Sequence, residues 1–171
     1  MQDVSNNSEQ IKWSFQWKLY ADSMKVMDPM KTVINIISQN KDLESCKQHL
    51  YTIIAELYNN ALDHGVLGLD SKIKENPEGI EEFYNLKEER LENLNTGYIF
   101  LAVEYQQALN KYKLIMSAED SGSGFDHRNY EKTLTANQKT FGRGIPLLFS
   151  LCEKVSFNES GNKITVEYDP K

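Results

Sequence analysis

The fold turns on residues 97–124, GYIFLAVEYQQALNKYKLIMSAEDSGSG. Two runs in it, GYIFLAVEYQQ and YKLIMSAED, alternate apolar and polar residues, the period of strands with one buried face. ALNK (108–111) between them is a hairpin turn, so the two strands pair antiparallel. The second strand runs directly into EDSGSGFD (119–126), a glycine-rich loop with acids at both ends. Working outward, IKWSFQWKLY (11–20) reads as another strand, and KVSFNESGNKITVEY (154–168) as a closing hairpin with its turn at ESGN.

Helical patterns occupy the intervals. DPMKTVINIISQ places an acid before a proline at the first helical position, so a helix starts at Asp28. A longer helix runs from Asp42 to about His64, with Leu43, Cys46, Leu50, Ile53, Ile54, Leu57 and Ala61 as its apolar stripe. GIPLLFSLCEKV (144–155) is a short apolar helix with Pro146 in its first turn. This order predicts an α+β two-layer sandwich, an antiparallel-rich mixed sheet with helices on one face.

Residues 1–10 are polar and read as a disordered lead-in or linker, leaving a single domain over 11–171. DSKIKENPEGIEEFYNLKEERLEN (70–93) is rich in charge. Pro77 can open a helix there, and Ile80, Phe83, Tyr84, Leu91 and Leu94 give it a thin apolar stripe. The expectation is an inserted, mostly exposed helix at about 70–94, either a solvated spacer or a partner-binding arm.

A net charge of −6 argues against a nucleic-acid surface, which needs a basic stripe. No apolar run approaches the roughly 20 residues that span a bilayer, and the N-terminus lacks a secretion pattern, which predicts a cytoplasmic protein. Cys46 and Cys152 are too few for a disulfide framework and are expected as buried thiols. With three histidines they form no metal-binding spacing.

Three stretches carry chemistry. In ELYNNALDHG (56–65), Glu56 and Asn60 lie four residues apart on one helix face, beside Asp63 or His64. Glu56 is either a surface acid or a general base beside a cation held by the amide oxygen of Asn60, an arrangement that suits Mg²⁺ when phosphates supply the remaining ligands. In EDSGSGFD, Asp120 ends a strand, and Gly122 and Gly124 let a ligand approach the backbone. This is either a plain turn or an acceptor for an N–H donor such as the exocyclic amine of adenine. In FGRGIPLLF, Gly142 and Gly144 precede a helix start, where N–H groups and Arg143 suit an anion; the alternative is a glycine cap with a surface arginine.

Glu-x-x-x-Asn-Ala on a helix, Asp-x-Gly-x-Gly at a strand end, a polar stretch and Gly-x-Gly-Ile-x-Leu, in that order, resemble the GHKL ATPase superfamily of gyrase, histidine kinase and MutL-type domains. The resemblance covers about residues 11–168 apart from the insert. The version E…NNALDHG, within residues 56–65, looks most like the anti-sigma-factor serine kinase branch. VLGLDSKIKENPEG (66–79) looks like the ATPase domain at the C-terminus of some response-regulator/phosphatase fusion proteins of bacterial partner switching.

The resemblance implies a Bergerat-type ATP-binding fold. Asn60 would ligate Mg²⁺, Glu56 would be the general base, and Asp120 would bind the adenine amine in a pocket shaped by Gly122 and Gly124. Residues 127–142 would form a lid. Gly142, Arg143 and Gly144 would reach the phosphates, with Lys139 a further phosphate candidate, and Thr165 would back the adenine. The implied activity is transfer of the ATP γ-phosphoryl group to a serine or threonine of a STAS-type anti-sigma-factor antagonist; the alternative is a nucleotide-gated module that binds an antagonist or a sigma factor. Covalently attached upstream receiver or phosphatase domains and a homodimer belong to the same expectation. A glutamate at position 56 favours a hydroxyl acceptor, which benefits from a base, over an imidazole. His49 lies too close to the site elements to be a phosphoacceptor and reads as a helix-face residue.

Overall fold

The computed structural model describes residues 10–108, 111–127 and 144–170. Five strands form one sheet: β1 (Gln10–Tyr20), β2 (Tyr98–Ala108), β3 (Lys111–Asp120), β4 (Lys154–Phe157) and β5 (Lys163–Tyr168). Their spatial order is β1-β2-β3-β5-β4, and every ladder between them is antiparallel. The sheet therefore has no parallel pair among the described strands, where a mixed one was expected.

The helices lie to one side. They are α1 (Ala21–Val26), α2 (Pro29–Ser38), α3 (Lys47–Asn59), α4 (Pro77–Glu92) and α5 (Gly144–Leu151). Asp28 caps α2 by accepting from the Lys31 N–H, with Pro29 opening the helix as the sequence predicts. The helix expected over 42–64 is three pieces: a 3₁₀ segment (Lys41–Cys46), α3, and a π-helical segment (Asn60–Val66). Its predicted stripe is buried from Leu43 to Ala61.

Strand alternation assigns the two faces. Leu19, Ile99, Leu101, Val103, Leu114, Met116, Ala118, Ile164 and Val166 point to the helices and form the core with Leu50, Ile53, Leu57 and Leu148. The opposite face is polar: Glu167 bridges Lys113 at 2.8 Å and Lys154 at 3.0 Å, and Lys163 meets Glu119 at 3.3 Å. Cys46 is buried, but Cys152 lies just beyond α5 and is only partly covered, because the helix stops at Leu151. His49, on α3, meets the Tyr168 hydroxyl at 3.0 Å.

The charged insert is helical and mostly exposed, as expected, but it is also docked on the domain. It folds as a 3₁₀ segment (Ser71–Glu75) followed by α4, whose buried residues are Gly79 and Phe83. Phe83 is 1% exposed in the main core, whereas Tyr84 stays 60% exposed. Arg90 donates to the carbonyls of Leu67 and Gly68, at 2.7 and 2.8 Å. The Lys87 ammonium lies 2.6 Å from the Asp63 carboxylate. Within the insert, a Cβ on Gly79 would stand 1.7 Å from the Ile73 carbonyl oxygen, so only glycine lets the two helical pieces close on each other. No helix among the described residues is long and apolar enough to cross a membrane.

Candidate functional site

Alternation along β3 sets Asp120 in the inward row of Leu114, Met116 and Ala118, so the last place of an apolar row holds a carboxylate. It is 7% exposed. Its Oδ1 accepts the Gly122 N–H at 2.8 Å. Its backbone is clasped by Asn162: the Asp120 N–H donates to the Asn162 carbonyl at 2.9 Å, and the Asn162 side-chain amide donates to the Asp120 carbonyl at 2.7 Å. Gly65 lies against the carboxylate, where an added Cβ would stand 2.2–2.4 Å from its carbon and both oxygens. Burial raises the Asp120 pKa from 3.8 to about 6; the Gly122 N–H opposes the shift and Glu119 adds to it.

The second group comes from α3 and the π-helical segment that continues it. Glu56 lies in the last turn of α3, and Asn60 opens the wider turn. The Asn60 amide nitrogen donates to the Glu56 carbonyl at 2.7 Å, which commits the nitrogen and leaves the amide oxygen as the side chain's other polar atom. Widened turns of this kind occur often at functional sites. Burial raises the Glu56 pKa, Lys74 pulls it down, and Asp63 adds to the rise. At the start of α5, a Cβ on Gly144 would stand 2.3 Å from Glu56 Oε2 and 3.4 Å from the Asn60 amide nitrogen. The helix start and the carboxylate can approach this closely because residue 144 has no side chain.

These elements enclose one cleft of about 730 Å³, a volume in the range of small-molecule sites. Glu56, Asn60, Asp120, Gly124 and Gly144 all line it. Gly122 sits behind Asp120, where a Cβ would stand 2.3 Å from the Gly65 carbonyl oxygen. Gly124 has φ +74°, and a Cβ there would stand 1.9 Å from the Ser160 carbonyl oxygen, so this position needs glycine twice over.

Thr165 is a correction. It lies between Ile164 and Val166, whose side chains face the helices, so period two turns it to the polar face with Lys163 and Glu167. Ile164 is the β5 residue that lines the cleft. Lys139, Gly142, Arg143 and nearly all of the expected lid fall in 128–143, outside the described residues.

Several lining residues were not anticipated. The insert contributes Ser71, Lys74, Phe83, Tyr84 and Lys87, the π-helical segment adds Gly65, and the loops add Phe125 and Asn162. The signal for the insert was available in one respect: Phe83 is a large apolar residue in an otherwise charged segment, and such a residue in a folded chain needs a place to be buried. Nothing in the sequence pairs Lys87 with Asp63.

The chemistry at the two ends of the cleft differs. At one end an acceptor is held against backbone by Gly122, Gly65 and Asn162, ready for an N–H donor. At the other a neutral amide oxygen and a carboxylate lie beside a glycine-opened helix start. The amide oxygen fits a hard cation that keeps water and ligand oxygens as its remaining partners. The chain matches no known protein-family model and no curated protein.

Proposed function

We propose that the cleft binds ATP with Mg²⁺ and that the domain transfers the γ-phosphoryl group to a serine or threonine hydroxyl of a partner protein. The observation that carries this reading is the meeting around one cleft of Glu56 from α3, Asn60 from the π-helical segment, Asp120 and Gly124 from the end of β3 and its loop, and Gly144 from α5. The acceptor-only carboxylate of Asp120 suits the adenine amine. Asn60 would hold the metal through its amide oxygen, and the metal, when bound, would offset phosphate charge.

In the transfer step Glu56 accepts the acceptor hydroxyl's proton. The hydroxyl oxygen forms a bond to the γ-phosphorus, the bond from that phosphorus to the β–γ bridging oxygen breaks, and ADP leaves with its electron pair. Burial makes Glu56 a stronger base than an exposed glutamate, in keeping with this role. By the resemblance in sequence, the acceptor is a STAS-type antagonist of an anti-sigma factor in the bacterial cytoplasm.

Thermal melting with and without Mg-ATP tests the binding. At a free concentration about 100 times Kd the ligand should add roughly 2.7 kcal/mol of stability, and Asp120→Ala should remove that gain. A variant that keeps the full gain would refute the adenine assignment. Labelled ATP with an antagonist protein tests the transfer: Glu56→Gln should bind ATP and slow phosphorylation by roughly 100-fold or more.

A further inference from the structure

The charge of the cleft leaves a question that the proposed reading alone does not answer. Its described lining holds three carboxylates, Glu56, Asp63 and Asp120, and two ammonium groups, Lys74 and Lys87. Lys87 is committed to Asp63 at 2.6 Å. A polyphosphate entering this space meets Glu56 and Asp120 with Lys74 as the remaining described lysine on the walls.

Lys74 is well held for such a task. Its ammonium lies over the Phe83 ring, 4.0 Å from the centroid, and Phe83 is anchored in the core. The 3₁₀ segment that carries it is fixed to α4 by the close approach of Gly79 to Ile73. α4 is fixed in turn to the segment that carries Asn60, by Lys87 on Asp63 and Arg90 on the Leu67 and Gly68 carbonyls. Lys74 is also within electrostatic reach of Glu56, the residue that marks the phosphate end.

We propose that the 71–92 insert is part of the ligand site, and that Lys74 contacts the polyphosphate of the bound nucleotide. This rests on the nucleotide reading above and extends it: the insert selects nucleoside triphosphates over nucleosides by supplying a fixed positive charge. An ammonium carried on a docked segment adds a charge-assisted contact to phosphate oxygens and none to the base or sugar.

The experiment measures ATP, adenosine and inorganic tripolyphosphate binding by calorimetry, for the wild type, Lys74→Met and Lys74→Arg, with thermal melts confirming that each variant folds. Methionine keeps an unbranched apolar stem over Phe83 and removes the charge. Lys74→Met should weaken ATP and tripolyphosphate by roughly 10- to 100-fold and leave adenosine within about twofold, while Lys74→Arg should recover most of the loss. Equal effects on ATP and adenosine, or no effect on either, would overturn the phosphate role and leave Lys74 a packing partner of Phe83. A folded wild type that binds neither ATP nor adenosine would instead overturn the nucleotide reading, and this assignment with it.

Discussion

Replacing Asp120 by asparagine should make the ligand-free protein more stable at neutral pH while destroying its ligand site. The Asp120 carboxyl has its pKa raised from 3.8 to about 6, with burial as the largest cause. A carboxyl raised in the folded state destabilises that state once it must ionise there. Below pH 3.8 it is protonated whether the chain is folded or unfolded, and no penalty exists. Between 3.8 and about 6 the unfolded chain releases its proton first, so stability falls as pH rises; above about 6 the penalty is complete. The gap between the two values is worth roughly 3 kcal/mol at pH 7.5, and about half of that at pH 5.

Asparagine carries no such penalty and can still accept the Gly122 N–H. Its NH₂ group needs an acceptor, which returns roughly 1–2 kcal/mol of the gain at every pH. The informative quantity is therefore the change with pH. The stability of Asp120→Asn relative to wild type should shrink by roughly 1.5 kcal/mol between pH 7.5 and pH 5, a shift of about 3–6 °C in relative Tm for a chain of this size. Thermal melts in matched buffers read this directly. A stability difference that does not vary with pH would refute the account of Asp120 as a carboxylate held against its own preference. The same linkage predicts that Mg-ATP binding tightens as pH rises through about 6, since the ionised carboxylate is the stronger acceptor for the amine donor.

Three further substitutions probe the architecture. Phe83→Ala should lower stability by roughly 3–5 kcal/mol, as for other large buried aromatics; a loss under about 0.5 kcal/mol in denaturant titration would mean that the insert is only a spacer. Lys87→Met strands the largely buried Asp63 carboxylate and should lower stability by roughly 2–3 kcal/mol, below the range for fully buried pairs because Lys87 keeps 23% exposure. Adding Asp63→Asn should restore part of the loss, and additive losses in the double mutant would show that the two residues do not interact. Gly144→Ala forces Glu56 or α5 to move by more than 1 Å, judged against ordinary contacts of 3.4–4 Å. It should slow phosphoryl transfer more than it weakens adenosine binding; equal effects on the two would place Gly144 away from the reacting end.

The strands and the apolar helix stripe were legible because each follows a local period: two for Ile99 to Tyr105 and Leu114 to Asp120, near 3.6 for Leu50 to Ala61. The π-helical segment was not, since NALDHGV carries no residue that refuses either the ordinary or the widened turn. Glu56, Asn60 and Asp120 stood out as polar residues at positions that local periodicity assigns to a buried face. Gly65 and Asn162 did not, because their importance lies in contacts across the fold: Gly65 lies against an acid far along the chain, and Asn162 donates to a carbonyl 42 residues away. The insert was legible as an exposed helix, but the way it docks was hidden for the same reason. Its apolar content is low, and its attachment combines Phe83 and the partly buried Ile73, Leu86 and Leu91 with one ion pair and one arginine. Thr165 was assigned by motif, and strand parity alone would have turned it outward.

The β4–β5 turn carries a consequence for anyone who wishes to label this protein. A Ser-Gly tip at a hairpin is where a fluorescent protein or epitope would ordinarily be spliced in with little harm. Here Gly161 has φ +76°, and a Cβ on it would stand 2.1 Å from the Phe125 carbonyl oxygen. Asn162 accepts from both Asn158 and Ser160 while it grips the Asp120 backbone. A splice between Ser160 and Gly161 would pull apart two loops that meet face to face, and the damage would surface at Asp120, on the neighbouring strand.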